Sequence, residues 1–163
     1  MRKRSCILIP LLTVGVIALF DVLAEHAYSS GGVLSPDAAL ILKAKPVDIG
    51  SQETDLDRLL KHRYNAALRA TQLVTKEVIG GRRNPIEILP LASMLLDSKL
   101  ELARDRKDRL VVLETHVQFM RYIDAFTMAR FGVGNCSEVD CERVRYFLFD
   151  AQIRLQRAKN EVK

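Results

Sequence analysis

Few side chains in this sequence have the types and spacing that chemistry requires. His116 stands near Glu114, Arg121 and Asp124, a mixture of imidazole, carboxylates and guanidinium that a small-molecule or metal site between helices would use. Such a site needs its groups to converge, and no second histidine lies a helical turn away; His62 stands alone and His26 lies in a different segment. No Gly-rich phosphate loop and no nucleophile motif occurs. The residues therefore assign no catalytic, cofactor or metal position, and the expectation is a non-enzymatic protein without a cofactor.

Cysteine chemistry is limited to Cys6, Cys136 and Cys141. If Cys6 leaves with an N-terminal leader, Cys136 and Cys141 remain as an even pair, which in an oxidising compartment invites a disulfide. On one regular helix their side chains would point about 140° apart, so a bridge requires Cys136 to lie outside the helix that holds Cys141. The sequence leaves both the bridged and the unbridged state open. Arginine pairs offer another kind of chemistry: Arg82 with Arg83, and Arg143 with Arg145, are candidate contacts for an anionic partner.

Helices must position these groups. Beyond Glu53, apolar residues recur at spacings of three and four, while Gly and Pro retreat to a few positions. In the first helix Leu56, Leu60, Tyr64, Ala67, Thr71, Val74 and Val78 form a seam. A second runs from about Pro85 to Arg104 with Ile88, Leu91, Leu95 and Leu102 inward, and Pro90 is expected to kink it. A third runs from about Arg106 to Phe131 with Leu110, Leu113, Val117, Met120 and Phe126 inward. The last carries Cys141, Val144, Leu148, Ala151, Leu155, Ala158 and Val162. Asp105 and Asp108 form a cap-like pair between the second and third helices, at a break or a charged stretch of one long helix. The aromatic residues Tyr122, Phe126, Phe131, Tyr146, Phe147 and Phe149 are mostly expected in the core; joint exposure of several would mark an interaction patch.

An internal repeat organises these helices. The offset that carries Gly81 to Gly134 also carries Asn84 to Ser137, Glu87 to Asp140, Ile88 to Cys141, Leu91 to Val144 and Leu95 to Leu148. Gly81 and Gly134 suit the left-handed conformation that ends a helix. Asn84 and Ser137 are N-caps for the next one, and Glu87 and Asp140 sit where a carboxylate completes a capping box. The fold class expected is all-α: two tandem helix-turn-helix repeats, four long helices in antiparallel hairpins with coiled-coil-like packing.

Two further segments precede this domain. Arg2, Lys3 and Arg4, an apolar run from Cys6 to Phe20, and Val22 and Ala24 at a small-residue boundary read as a signal peptide over residues 1–24. Residues 25–52, punctuated by Gly31-Gly32, Pro36 and Pro46, read as a largely irregular linker, with a short helix from Ser35 to Lys43 as an option; the helical domain is 53–163. Lys and Arg total 25 against 20 acidic residues, with both signs alternating along every helix, which argues against a nucleic-acid stripe. Membrane contact is expected only through an uncleaved leader.

Phe131-x-x-Gly134-x-x-Ser137-x-x-Asp140, and the looser Val78-x-x-Gly81-x-x-Asn84-x-x-Glu87, resemble the hairpin tips of TolC-like outer-membrane efflux proteins. The resemblance covers about Leu68 to Ala158 and implies hairpins whose tips touch other helical proteins, as that family's tips touch an adaptor. The departures limit it: no alternating stretch of roughly 9 to 11 residues is available for membrane strands. Helices of about 20 to 27 residues reach only on the order of 30 to 40 Å. The expectation is an exported protein of a bacterial periplasm or cell envelope, acting as a structural or interaction module through a protein partner or self-association. A small-molecule or metal-binding bundle, a small exported enzyme included, is the alternative.

Overall fold

The computed structural model describes residues 41–161; the segment read as a signal peptide, much of the expected linker, Val162 and Lys163 lie outside that range. Every regular element among the described residues is helical. Helix α1 spans Asp55–Ile79, a 3-10 turn spans Pro85–Glu87, and α2, α3 and α4 span Ile88–Leu102, Arg106–Gly132 and Glu138–Asn160.

Each start has a chemical cause. The Thr54 hydroxyl accepts from the Asp57 N–H at 3.1 Å, Asp105 accepts from Asp108 N–H at 2.8 Å, and Ser137 accepts from Asp140 N–H at 3.1 Å. These partners absorb backbone donors that no earlier turn can satisfy. Ala103 and Asp105 both have extended backbone, so α2 and α3 are separate helices and the Asp105–Asp108 pair marks a true break.

The stops are equally defined. At the end of α1 the Arg82 N–H donates to Glu77 C=O at 2.9 Å and the Gly81 N–H to Val78 C=O at 3.0 Å. At the end of α3 the Asn135 N–H donates to Arg130 C=O at 2.8 Å and the Gly134 N–H to Phe131 C=O at 2.9 Å. Both are Schellman motifs, and both need the positive φ that Gly81 (73°) and Gly134 (75°) supply.

Pro90 departs from expectation in an instructive way. The α-helix proper begins at Ile88, which leaves Pro90 in its first turn, where a missing N–H is harmless. The disturbance appears ahead of it, as the 3-10 winding of Pro85–Glu87. That turn touches all four helices, with Pro85 buried among them.

Helices α1 and α2 pack as one antiparallel pair. Arg63 meets Glu101 and Lys99 lies 4.6 Å from the Tyr64 ring near one end, while further along the Thr71 hydroxyl, which donates to Ala67 C=O at 2.8 Å, lies 3.2 Å from Leu91 C=O. Helices α3 and α4 form the other pair, tied by Lys159–Glu114 at 2.9 Å and, toward the opposite end, Arg145–Met128 at 3.7 Å. Leu68, Val78, Ile88, Phe119, Met120, Ile123 and Val144 are the most enclosed core side chains. Of the seam expected in α1, Tyr64, Ala67, Thr71 and Val78 are buried, whereas Leu56 is 65 % exposed because it lies at the helix end, beyond the described packing.

The described part of the segment read as linker is held against α1. Residues 41–43 are helical, and the Gln72 amide donates to the carbonyls of Ile41 at 3.0 Å and Ala44 at 2.9 Å, where a helix C-terminus leaves acceptors unpaired. Asn65 exchanges two bonds with the Val47 backbone, at 2.8 and 2.9 Å, and Lys61 reaches Asp48 C=O and Glu53. Ile41 is buried in the same core as Leu68 and Ile123.

Candidate functional site

The two turns that the sequence picks out come together at one end of the helices. Asn84 caps the 3-10 turn by accepting from the Ile86 N–H at 3.1 Å, while its own N–H donates to Glu87 at 3.2 Å. Ser137 and Asp140 close the second box, with the Ser137 N–H donating to Asp140 Oδ2 at 3.0 Å. The Asn84 side-chain amide then donates to the same Asp140 Oδ2 at 3.1 Å, so the N-cap of one turn is hydrogen-bonded to the capping carboxylate of the other. The Ser137 backbone and the Asn84 amide hold the Asp140 carboxyl below its ordinary range. Arg130 adds a second tie, donating to Val78 C=O at 3.4 Å with its guanidinium 5.9 Å from the Phe126 ring.

The arginines expected to meet a partner differ in what surrounds them. Arg83 is engaged by Glu77 and Glu87, which raise its pKa further, so its charge is neutralised at the tip. Arg145 pairs with Glu142 and touches Met128. Arg82 and Arg143 are exposed and make no ion pair among the described residues.

Cys136 lies in the turn immediately before the N-cap Ser137, and Cys141 is buried in the first turns of α4. The two thiols are separate, so no disulfide joins them in this structure. Burial pushes both thiols up, with the Arg130 guanidinium opposing the shift at Cys136, and both are weak nucleophiles near neutral pH.

The four residues of the alternative site belong to two surroundings. Burial and the Arg154 guanidinium hold His116 at about 4, against opposing fields from Asp150 and Asp97, so the imidazole is neutral over most of the pH range. Glu114 is taken by Lys159, and Arg121 is exposed. Asp124 lies two turns further along α3, its carboxyl raised by burial, with Arg145 and Glu142 as its charged neighbours and its Oδ1 without a partner. Among the described residues no three of His, Cys, Asp and Glu gather as a metal site would require.

The aromatic residues overturn the expectation that most are core. Tyr122, Phe126 and Phe147 are half-buried, and Tyr122 stacks on Phe126 at 6.1 Å. Phe131, Tyr146 and Phe149 are 43, 68 and 54 % exposed. Val133, Val139 and Ile153 join them on the surface. Glu138, Val139, Glu142, Arg143 and Tyr146 line an open depression of about 430 Å³ on this side of α4. The signal for this face is present in the sequence as Val139, Tyr146 and Ile153, spaced by seven and opposite the Cys141 series, but a stripe of that spacing reads the same whether it is covered or exposed.

No family model, curated protein or solved structure matches this chain. The arrangement must therefore be read from its own chemistry. It offers two capped turns locked to each other and, beside them, an apolar surface edged with charge. None of the described helices is long and apolar enough to cross a membrane.

Proposed function

We propose that this protein is exported to the periplasm or envelope of a bacterium and acts there, without catalysis, as a helical-hairpin module that binds protein. In this reading residues 53–163 are two tandem helix-turn-helix repeats, related by the offset that carries Gly81 to Gly134, packed in coiled-coil fashion and similar at their tips to TolC-like efflux proteins. The matching Schellman motifs and capping boxes of the two turns support the repeat relation. The observation that carries the function is the row of exposed apolar residues Val139, Tyr146, Phe149 and Ile153 along α4, the helix that leaves the second of the locked turns. Large apolar side chains exposed together along one helix are costly to leave in water and are characteristic of interaction sites.

Cell fractionation with N-terminal sequencing tests export, with a start near Glu25 expected. A photo-crosslinking residue placed in living cells at Arg82 or at Val139 tests binding, and a discrete protein adduct is expected. Retention of the intact leader in the cytoplasm, or crosslinking no stronger than at a solvent-facing control such as Arg58, would sink the proposal.

A further inference from the structure

Helix α4 carries two apolar faces. One buries Cys141, Val144, Leu148 and Ala151 against the rest of the domain. On the other, Val139, Tyr146, Phe149 and Ile153 are 60, 68, 54 and 49 % exposed. At 100° per residue these four fall within an arc of about 80°, on the side away from the core. We infer that a second copy of this chain covers that face, α4 against α4 and antiparallel. The inference rests on the interaction-module reading and names its partner.

The occupant follows from the pattern of charge. Written as a heptad seam, the face has Val139, Tyr146 and Ile153 at one set of positions and Glu142, Phe149 and Gln156 at the other. A parallel pairing would set Glu142 against Glu142 of the second copy, two carboxylates facing each other in an apolar seam. An antiparallel pairing about a two-fold axis between Phe147 and Leu148 avoids this. It sets Tyr146 against Phe149 of the second copy, Glu142 against Ile153, and Val139 against Gln156. The isologous symmetry makes each contact twice.

The edges of the seam agree. In this register Arg143 faces Asp150 of the second copy, and Glu138 faces Lys159, whose ammonium also pairs with Glu114 of its own chain. Arg143 makes no ion pair among the described residues, and Arg154 engages Asp150 through Oδ2, which leaves Oδ1 to accept. Burial of Val144, Leu148 and Ala151 on the opposite side, with the Arg154–Asp97 pair at 3.2 Å beside them, keeps the face presented outward. From Val139 to Gln156 the seam runs about 27 Å. One helix pair of that length lies at the small end of specific interfaces, so the dimer is reversible and concentration-dependent.

The test is sedimentation velocity over a wide concentration range on the protein as recovered from the cells that make it. Reductant is present throughout, so that the half-exposed Cys136 cannot link chains. The weight-average mass is expected to rise from one chain toward two. Tyr146→Glu and Phe149→Glu should each weaken the dimer at least tenfold while leaving helix content intact, because both side chains face solvent in the monomer. Arg143→Asp and Asp150→Arg should each weaken it severalfold, and the double variant should recover most of the loss. A chain that stays monomeric throughout, a dimer indifferent to Tyr146 and Phe149, or a double variant no better than the single ones would each overturn the inference. A monomer that still crosslinks to another protein in cells would leave the interaction-module reading standing.

Discussion

His116 illustrates how burial decides the behaviour of one side chain. Its pKa of about 4 in the folded protein lies below the 6.5 of an ordinary imidazole. Between those values the unfolded chain binds a proton that the folded chain refuses, so stability falls as pH drops through this window and is intact above it. The swing is on the order of 3 kcal/mol. Urea midpoints for the protein and a His116→Leu variant, compared at about pH 7 and about pH 4, should show a shallower loss in the variant; equal slopes would contradict the buried neutral imidazole. Gly134 is governed by backbone instead of charge. A Cβ there would meet nothing within 4 Å, so the effect of Gly134→Ala is the strain of its 75° φ alone. A loss of roughly 1 to 2 kcal/mol of unfolding free energy, read from the shift in the denaturation midpoint, is expected. Gly134→Asn should recover part of it, since Asn tolerates this conformation.

Among the elements, the two turns are coupled more tightly than capping alone demands. Each box satisfies its own helix, yet Asp140 Oδ2 accepts from both the Ser137 backbone and the Asn84 amide. A hydrogen bond to an ionised carboxylate is stronger than a neutral one, so a double-mutant cycle between Asn84→Ala and Asp140→Ala should give a coupling of about 0.5 to 2 kcal/mol. Additive effects would mean that the turns are capped independently. The capping residues were legible in the sequence because Gly, Asn or Ser, and Glu or Asp fall at offsets dictated by one turn of helix. Their mutual bond was not, since no local pattern reports which turns meet. The 3-10 winding ahead of Pro90 was hidden for a similar reason: a proline five residues into a motif reads as a kink, and only the packing of Pro85 among four helices sets where regular winding begins.

For the molecule as a whole, the stretch after Ile41 is part of the packed unit. Gln72 and Asn65 satisfy the backbone of Ile41, Ala44 and Val47; removing Gln72 leaves the Ala44 carbonyl without its partner, and removing Asn65 does the same to the Val47 carbonyl and N–H. Gln72→Ala with Asn65→Ala should destabilise the domain by roughly 2 to 4 kcal/mol. The pair should also open residues 44–53 to limited proteolysis ahead of the helices. Unchanged cleavage would show that apolar contacts alone hold the strap. The sequence by itself determined that the domain is helical, where its capped turns fall, and which stripe of α4 is core, because helix periodicity and caps are local properties of the chain. Tertiary structure alone decided the rest. It placed the turns side by side and moved His116 and Asp124 into different surroundings. It also left Tyr146 and Phe149 outside, since an apolar residue on a helix reads the same whether a neighbour covers it or water does.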